Sequence, residues 1–122
     1  MKRGIVLFGH GSRDPAWRRP MDAVAAAIRE RDPQVDVACA FLELTEPDLP
    51  TAVAKMTAAG ARVVRIVPLF LGVGTHARND LPKLADAARA ACPGVMVEVV
   101  AAAGERPEVI RVLADIALQQ GS

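Results

Sequence analysis

An open α/β sheet of four parallel strands, built in the order βαβαβαβα, is the fold class this sequence predicts. Four apolar runs lie at 4–8, 35–42, 62–71 and 95–100, and most are too continuous for a half-exposed antiparallel strand. Between and after them, four segments repeat apolar residues at i, i+3, i+4 and i+7, the signature of a helix with one buried face. Proline and glycine punctuate the boundaries between the two kinds of segment.

The first strand runs over 4–8 and ends in Gly9-His-Gly11. The first helix follows Pro20, with Met21, Val24, Ala25 and Ile28 on one face. The second strand covers 35–42 and is followed by a helix starting near Pro50, with Leu49, Ala52, Val53 and Met56 inward. Gly60 closes it before the third strand at 62–71. The third helix carries Leu81, Leu84, Ala85 and Ala88, and Pro93-Gly94 stops it. The fourth strand, 95–100, leads to a last helix after Pro107 with Val109, Val112, Leu113 and Ile116 as its apolar face. Such an alternation implies right-handed crossovers and helices on both faces of the sheet. No tandem repeat, linker or low-complexity tract interrupts it, so residues 1–122 read as one domain.

Composition narrows the function. At 122 residues the chain can bury a real core, and 52% of its residues are apolar. The formal charge is +1, which leaves no electrostatic footprint for nucleic acid or acidic lipid. No apolar stretch reaches membrane-spanning length, and the segment after Met1-Lys-Arg3 is too short for a signal-peptide core. A soluble, cytoplasmic protein without a nucleic-acid or membrane partner is the expectation. Cys39 and Cys92 lie too far apart for a local C-x-x-C motif and read as buried free thiols.

In such a sheet the ligand crevice lies beyond the carboxyl ends of the strands, where strand order reverses. The two histidines of the chain stand there: His10 after the first strand and His76 after the third, each in a glycine-rich loop. If the strand order is 2-1-3-4 they flank the reversal, and Glu43 is one strand away. Imidazole is the commonest protein ligand for transition metals and a base near neutral pH. Glycine allows close approach and positive φ, so Gly9, Gly11, Gly72 and Gly74 fit equally a tight strand-to-helix turn and a loop wrapped on a ligand. Glu43, at the end of a buried strand, reads as a solvated strand end or as a proton acceptor beside an imidazole.

Other motifs are weaker. Gly72-Val-Gly-Thr-His-Ala77 has the dinucleotide spacing G-x-G-x-x-A, but it follows the third strand and no acidic residue ends the fourth to hold a ribose. His10-Gly-Ser12 lacks the spacing of a nucleophile elbow. A nucleotide-binding module is therefore the poorer reading.

Three motifs together, His10-Gly-Ser-Arg-Asp-Pro15, Phe41-Leu-Glu43, and Pro68-Leu-Phe-Leu-Gly-Val-Gly-Thr-His-Ala-Arg-Asn-Asp-Leu-Pro82, resemble the small class II chelatases of the CbiX and sirohydrochlorin chelatase family. The resemblance covers nearly the whole chain. It implies a chelatase-like domain that inserts a divalent metal, Co²⁺ or Fe²⁺ with Ni²⁺ a further candidate, into the tetrapyrrole sirohydrochlorin of cobalamin or sirohaem synthesis. The family histidines match His10 and His76 as metal ligands, and the family glutamate matches Glu43, giving His10, Glu43 and His76 as the catalytic set. The metal is substrate, with no tightly bound cofactor implied, and the short form is a homodimer. A carrier that binds metal or tetrapyrrole without inserting is the alternative.

Metallation must strip water from the metal and remove two pyrrole N–H protons, so labile ligands beside a proton acceptor suit it. Imidazole with carboxylate does not select among Co²⁺, Fe²⁺, Ni²⁺ and Zn²⁺. The carboxylates around sirohydrochlorin call for donors at Gly11, Ser12, Arg13, Gly74, Thr75 and Arg78, with Lys83 a further candidate. Leu69, Phe70, Leu71 and Val73 are candidates for a dimer contact or for ordinary burial.

Overall fold

Strands bounded on both faces by helices must be apolar at successive positions; the first run meets that condition throughout, while Asp36, Arg65 and Glu98 interrupt the other three. The computed structural model describes residues 2–120. It has strands β1 (Arg3–Gly9), β2 (Asp36–Phe41), β3 (Val63–Pro68) and β4 (Met96–Val99). The helices are α1 (Arg19–Arg31), α2 (Leu49–Ala58), α3 (Thr75–Ala91) and α4 (Pro107–Leu118), with short 3-10 turns at Pro15–Arg18 and Ala103–Glu105. All strand pairings are parallel, in the order β2-β1-β3-β4. The crossover from β1 runs to one side and that from β3 to the other, so the reversal falls between these two central strands.

Alternation along β1 divides the core. Val6 and Phe8 join Val64 and Ile66 beneath Leu49, Val53 and Met56 of α2 and Leu81, Ala85 and Ala88 of α3. Leu7 faces the other way, with Val37, Cys39 and Phe41 beneath Met21 and Ala25 of α1. Phe8, Phe41, Leu49 and Ile66 are essentially fully buried, each contributing about 1.5–3 kcal/mol relative to exposure. Both cysteines are free and buried. The Cys39 thiol is pushed above its ordinary pKa, first by burial and then by the nearby Asp22 carboxylate, which keeps it from thiolate chemistry. No helix among the described residues is long and apolar enough to cross a membrane.

Proline stands in the first two positions of α1, α2 and α4, as the punctuation predicts. Asp48 caps α2 by accepting the Thr51 N–H at 2.9 Å, and hydrogen bonding from Thr51, its side chain first and its backbone second, holds the carboxyl below the usual aspartate pKa. Because the folded pKa is the lower one, the cap acts fully above the unfolded value of about 3.9 and is lost as pH falls through the folded value. Asp48→Ala is expected to lower the unfolding free energy by about 1 kcal/mol at neutral pH, with the gap to the parent protein closing in acid, as read by urea denaturation.

Three expectations are corrected. The third apolar run extends to Leu71, but β3 stops at Pro68, which has no N–H to continue the ladder. Leu69 and Phe70 then pack against the two cores, while Leu71 is exposed. In α1 the apolar face is narrower than its periodicity suggests, since Val24 is 41% exposed. The larger difference is α4: Val109, Val112, Leu113 and Ile116 cover no part of the sheet, and the helix has no buried residue. Its root, the turn at Ala103–Glu105, is fixed to the far side of the third loop by the Gly104 N–H donating to the Phe70 carbonyl at 2.9 Å.

Candidate functional site

Parallel pairing continues past the end of β2, and that continuation builds the first half of the site. The Leu42 N–H donates to the Gly9 carbonyl and the Glu43 N–H to the His10 carbonyl, each at 3.0 Å, which carries Glu43 alongside His10. Gly11 turns the chain at φ +102°, and a Cβ there would stand 1.7 Å from the Glu43 carbonyl oxygen. The two loops are also stitched by Thr45. Its hydroxyl oxygen accepts the Ser12 N–H at 3.0 Å, and its O–H donates to the Ser12 carbonyl at 2.9 Å. Held this way, His10 Nε2 lies 3.0 Å from Glu43 Oε1.

The second half rises from β3. Leu69 N–H bonds the Phe8 carbonyl at 2.8 Å, so the third loop leaves beside the first. His76 differs from its expected place in a loop: α3 begins at Thr75, putting His76 in its first turn. A helical position lets it reach four residues on, and its Nε2 lies 3.0 Å from Asp80 Oδ2. Arg78 Nη2 donates to the Val73 carbonyl at 2.9 Å and pins the loop against the helix start. Beside it an open groove of about 340 Å³ is lined by Val73, Arg78, Leu81, Pro82 and Val99.

Both imidazoles therefore meet a carboxylate through Nε2. In the tautomer that donates from that atom, Nδ1 carries a free lone pair, the arrangement in which carboxylates orient histidine ligands of metals. The side chains of His10 and Glu43 are 51% and 46% exposed, so their pairing adds little stability and leaves both open to a ligand. Among the described residues no three His, Cys, Asp or Glu side chains are already gathered as a metal cage. His10, Glu43 and His76 thus share one sheet edge as two histidine–carboxylate pairs rather than one closed cluster.

The remaining candidates divide. Ser12 spends its N–H on Thr45, and its hydroxyl accepts the Asp14 N–H at 3.1 Å, so it builds the loop. Thr75 opens α3, where the first N–H groups of a helix have no intrahelical partner. Arg13 and Gly74 are exposed, as is Lys83 on α3. Gly74 has nothing within 4 Å of a built Cβ and a negative φ, so its glycine is not demanded by the fold. Thr45 and Asp80 are the residues that sequence reasoning left without a role. Asp80 was detectable as the i+4 neighbour of His76; Thr45 was not, because its partner is 33 residues away.

Comparison with known proteins identifies the family and the fold. The family model described as CbiX matches residues 4–120. The sirohydrochlorin cobaltochelatase of Methanococcus aeolicus is 38% identical over 80 residues, 66% of this chain and 56% of that one. The chain thus matches about half the length of such curated relatives. A CbiX protein from Marinobacter aquaeolei VT8 superposes with a TM-score of 0.83 at 30% identity, covering 97% of this chain and 93% of that one. The cobalt complex of the sirohydrochlorin chelatase SirB from Bacillus subtilis subspecies spizizenii gives a TM-score of 0.81 at 26% identity, over 97% of this chain and 50% of that one.

Proposed function

The chain belongs to the CbiX family, and on that premise we propose that it inserts a divalent metal ion, Co²⁺ or Fe²⁺, into sirohydrochlorin. The observation that carries the reading is the pair of imidazoles beyond neighbouring strands β1 and β3, each with Nε2 on a carboxylate and Nδ1 free. In this reading His10 and His76 deliver the metal through Nδ1. The openness of both rings favours a labile ion, which a reaction that must release its metal requires.

Two protons leave the pyrrole nitrogens as the metal enters. Glu43 accepts one while it still faces His10, and an imidazole freed of the metal accepts the other. Arg13, Arg78 and Lys83, with the N–H groups at Gly11 and the start of α3, meet the peripheral carboxylates of the macrocycle. The groove beside Val73 and Val99 supplies an apolar wall, and a second copy of the chain supplies the opposite one, since a macrocycle of this size needs a cleft on both faces.

A visible-absorption assay with sirohydrochlorin and each of Co²⁺, Fe²⁺ and Ni²⁺ tests the reading. Accelerated conversion to the metallated spectrum over the protein-free rate is expected with Co²⁺ or Fe²⁺. Metal or macrocycle binding without acceleration would make the protein a carrier instead.

A further inference from the structure

Leu44 is the one non-glycine residue with positive φ among the described residues, at +63°. The Thr45 N–H donates to the Glu43 carbonyl at 2.8 Å, which closes a three-residue γ-turn with Leu44 at its centre. With positive φ at the centre this is the rare, strained form of that turn, and for a bulky side chain the conformation is an outlier. The turn itself has a plain purpose. It lets the residues on either side meet the first loop, Glu43 at His10 and Thr45 at Ser12. That purpose asks for glycine, the residue found at the other two strongly positive φ angles, Gly11 and Gly60, and not for leucine.

Packing does not account for the leucine either. Leu44 belongs to neither core cluster and its side chain is left 54% exposed. Strain kept at the edge of a site, around a side chain that the fold does not use, points to a role for that side chain in binding.

The charges of the loop say what it can bind. From Glu43 to Asp48 the sequence holds three carboxylates, Glu43, Glu46 and Asp48, and no cation. Such a loop repels the carboxylated rim of a tetrapyrrole, while the cations that suit the rim, Arg13, Arg78 and Lys83, follow β1 and β3. What the loop beyond β2 can attract is the flat, apolar face of the ring, and Leu44 is the exposed apolar side chain it offers. We propose that Leu44 is a substrate-positioning residue: it packs on the face of the macrocycle next to Glu43 and leaves the carboxylated rim to the basic residues beyond the two central strands. The inference rests on sirohydrochlorin being the ligand, as read above.

Binding is measured without metal, by sirohydrochlorin quenching of Trp17, the one tryptophan of the chain, whose ring centroid lies 6.0 Å from that of Phe41 at the end of β2. Leu44→Ala, which keeps the strained turn, and Leu44→Gly, which relaxes it, are each expected to raise the Kd for sirohydrochlorin about 5- to 10-fold, the transfer value of the exposed half of a leucine side chain. Leu44→Met should restore binding to within about twofold. In turnover, the KM for sirohydrochlorin should rise in step, with kcat and the KM for the metal unchanged. The urea midpoint of Leu44→Gly should equal or exceed that of the parent, because glycine takes positive φ without strain. Ala and Gly variants that bind as the parent does would overturn the role of Leu44 and leave metal insertion standing. So would a fall in the urea midpoint of Leu44→Gly, which would make the side chain a structural one, or a change in the mass of either variant by light scattering, which would place it in a contact between copies. A parent protein that binds sirohydrochlorin without inserting metal would end the insertion reading alone, and one that binds none would end both.

Discussion

His10→Ala and His76→Ala are each expected to slow metal insertion by at least about 100-fold, because loss of a mere hydrogen-bond partner of a metal ligand already costs about 10–100-fold. The fold should be untouched. Neither ring is part of a core cluster, and the side chains are 51% and 66% exposed, so unfolding free energies should stay within about 0.5 kcal/mol of the parent protein. Their carboxylate partners give the graded version of the same measurement. Glu43→Gln removes a proton acceptor and Asp80→Asn only an orienting group, so the first should lower turnover at saturating metal, while the second should be relieved by more metal. Near-normal insertion by both alanine variants would remove histidine from the mechanism and leave the sheet edge without its chemistry.

How much of this was legible in the chain depends on how far apart the cooperating residues stand. The strands and the faces of α2 and α3 were readable because apolar periodicity is local and the tertiary contacts agree with it, as at Leu49, Val53 and Met56. The same periodicity misled at α4, where Val112, Leu113 and Ile116 have a buried-type pattern and no partner in their own chain. Periodicity reports that a face is apolar, never which surface covers it. At the site, the residue types and their sheet edge could be read from His10, Glu43 and His76. The pairing of His76 with Asp80 was open to reading as an i,i+4 neighbour, whereas that of His10 with Glu43 spans 33 residues and depends on strand register. The glycines were legible only in part: four in the loops look alike in sequence, but of these only Gly11 takes positive φ.

Gly11→Ala is accordingly expected to be the most damaging small substitution at the site. Two costs combine there. The residue sits at φ +102°, where a side chain is strained by about 1–3 kcal/mol. In addition, the new methyl would fall 1.7 Å from the Glu43 carbonyl oxygen, a main-chain atom tied into the second loop. The chain must then separate the loops, which breaks the Ser12–Thr45 bonds and the Glu43 N–H bond to His10, and with them the placement of Glu43 against the imidazole. A loss of about 3 kcal/mol or more in urea denaturation is expected, with insertion near the uncatalysed rate even where the protein remains folded. Gly60→Ala separates the two costs. Gly60 has nearly the same φ, +105°, but its nearest neighbour to a built Cβ is the flexible Lys2 side chain at 3.8 Å. That variant should lose only the conformational part, about 1–2 kcal/mol, and keep full turnover. Equal losses in the two variants would mean that the approach of Gly11 to Glu43 has no energetic weight, and the stitched pair of loops would then have to be held by Thr45 alone.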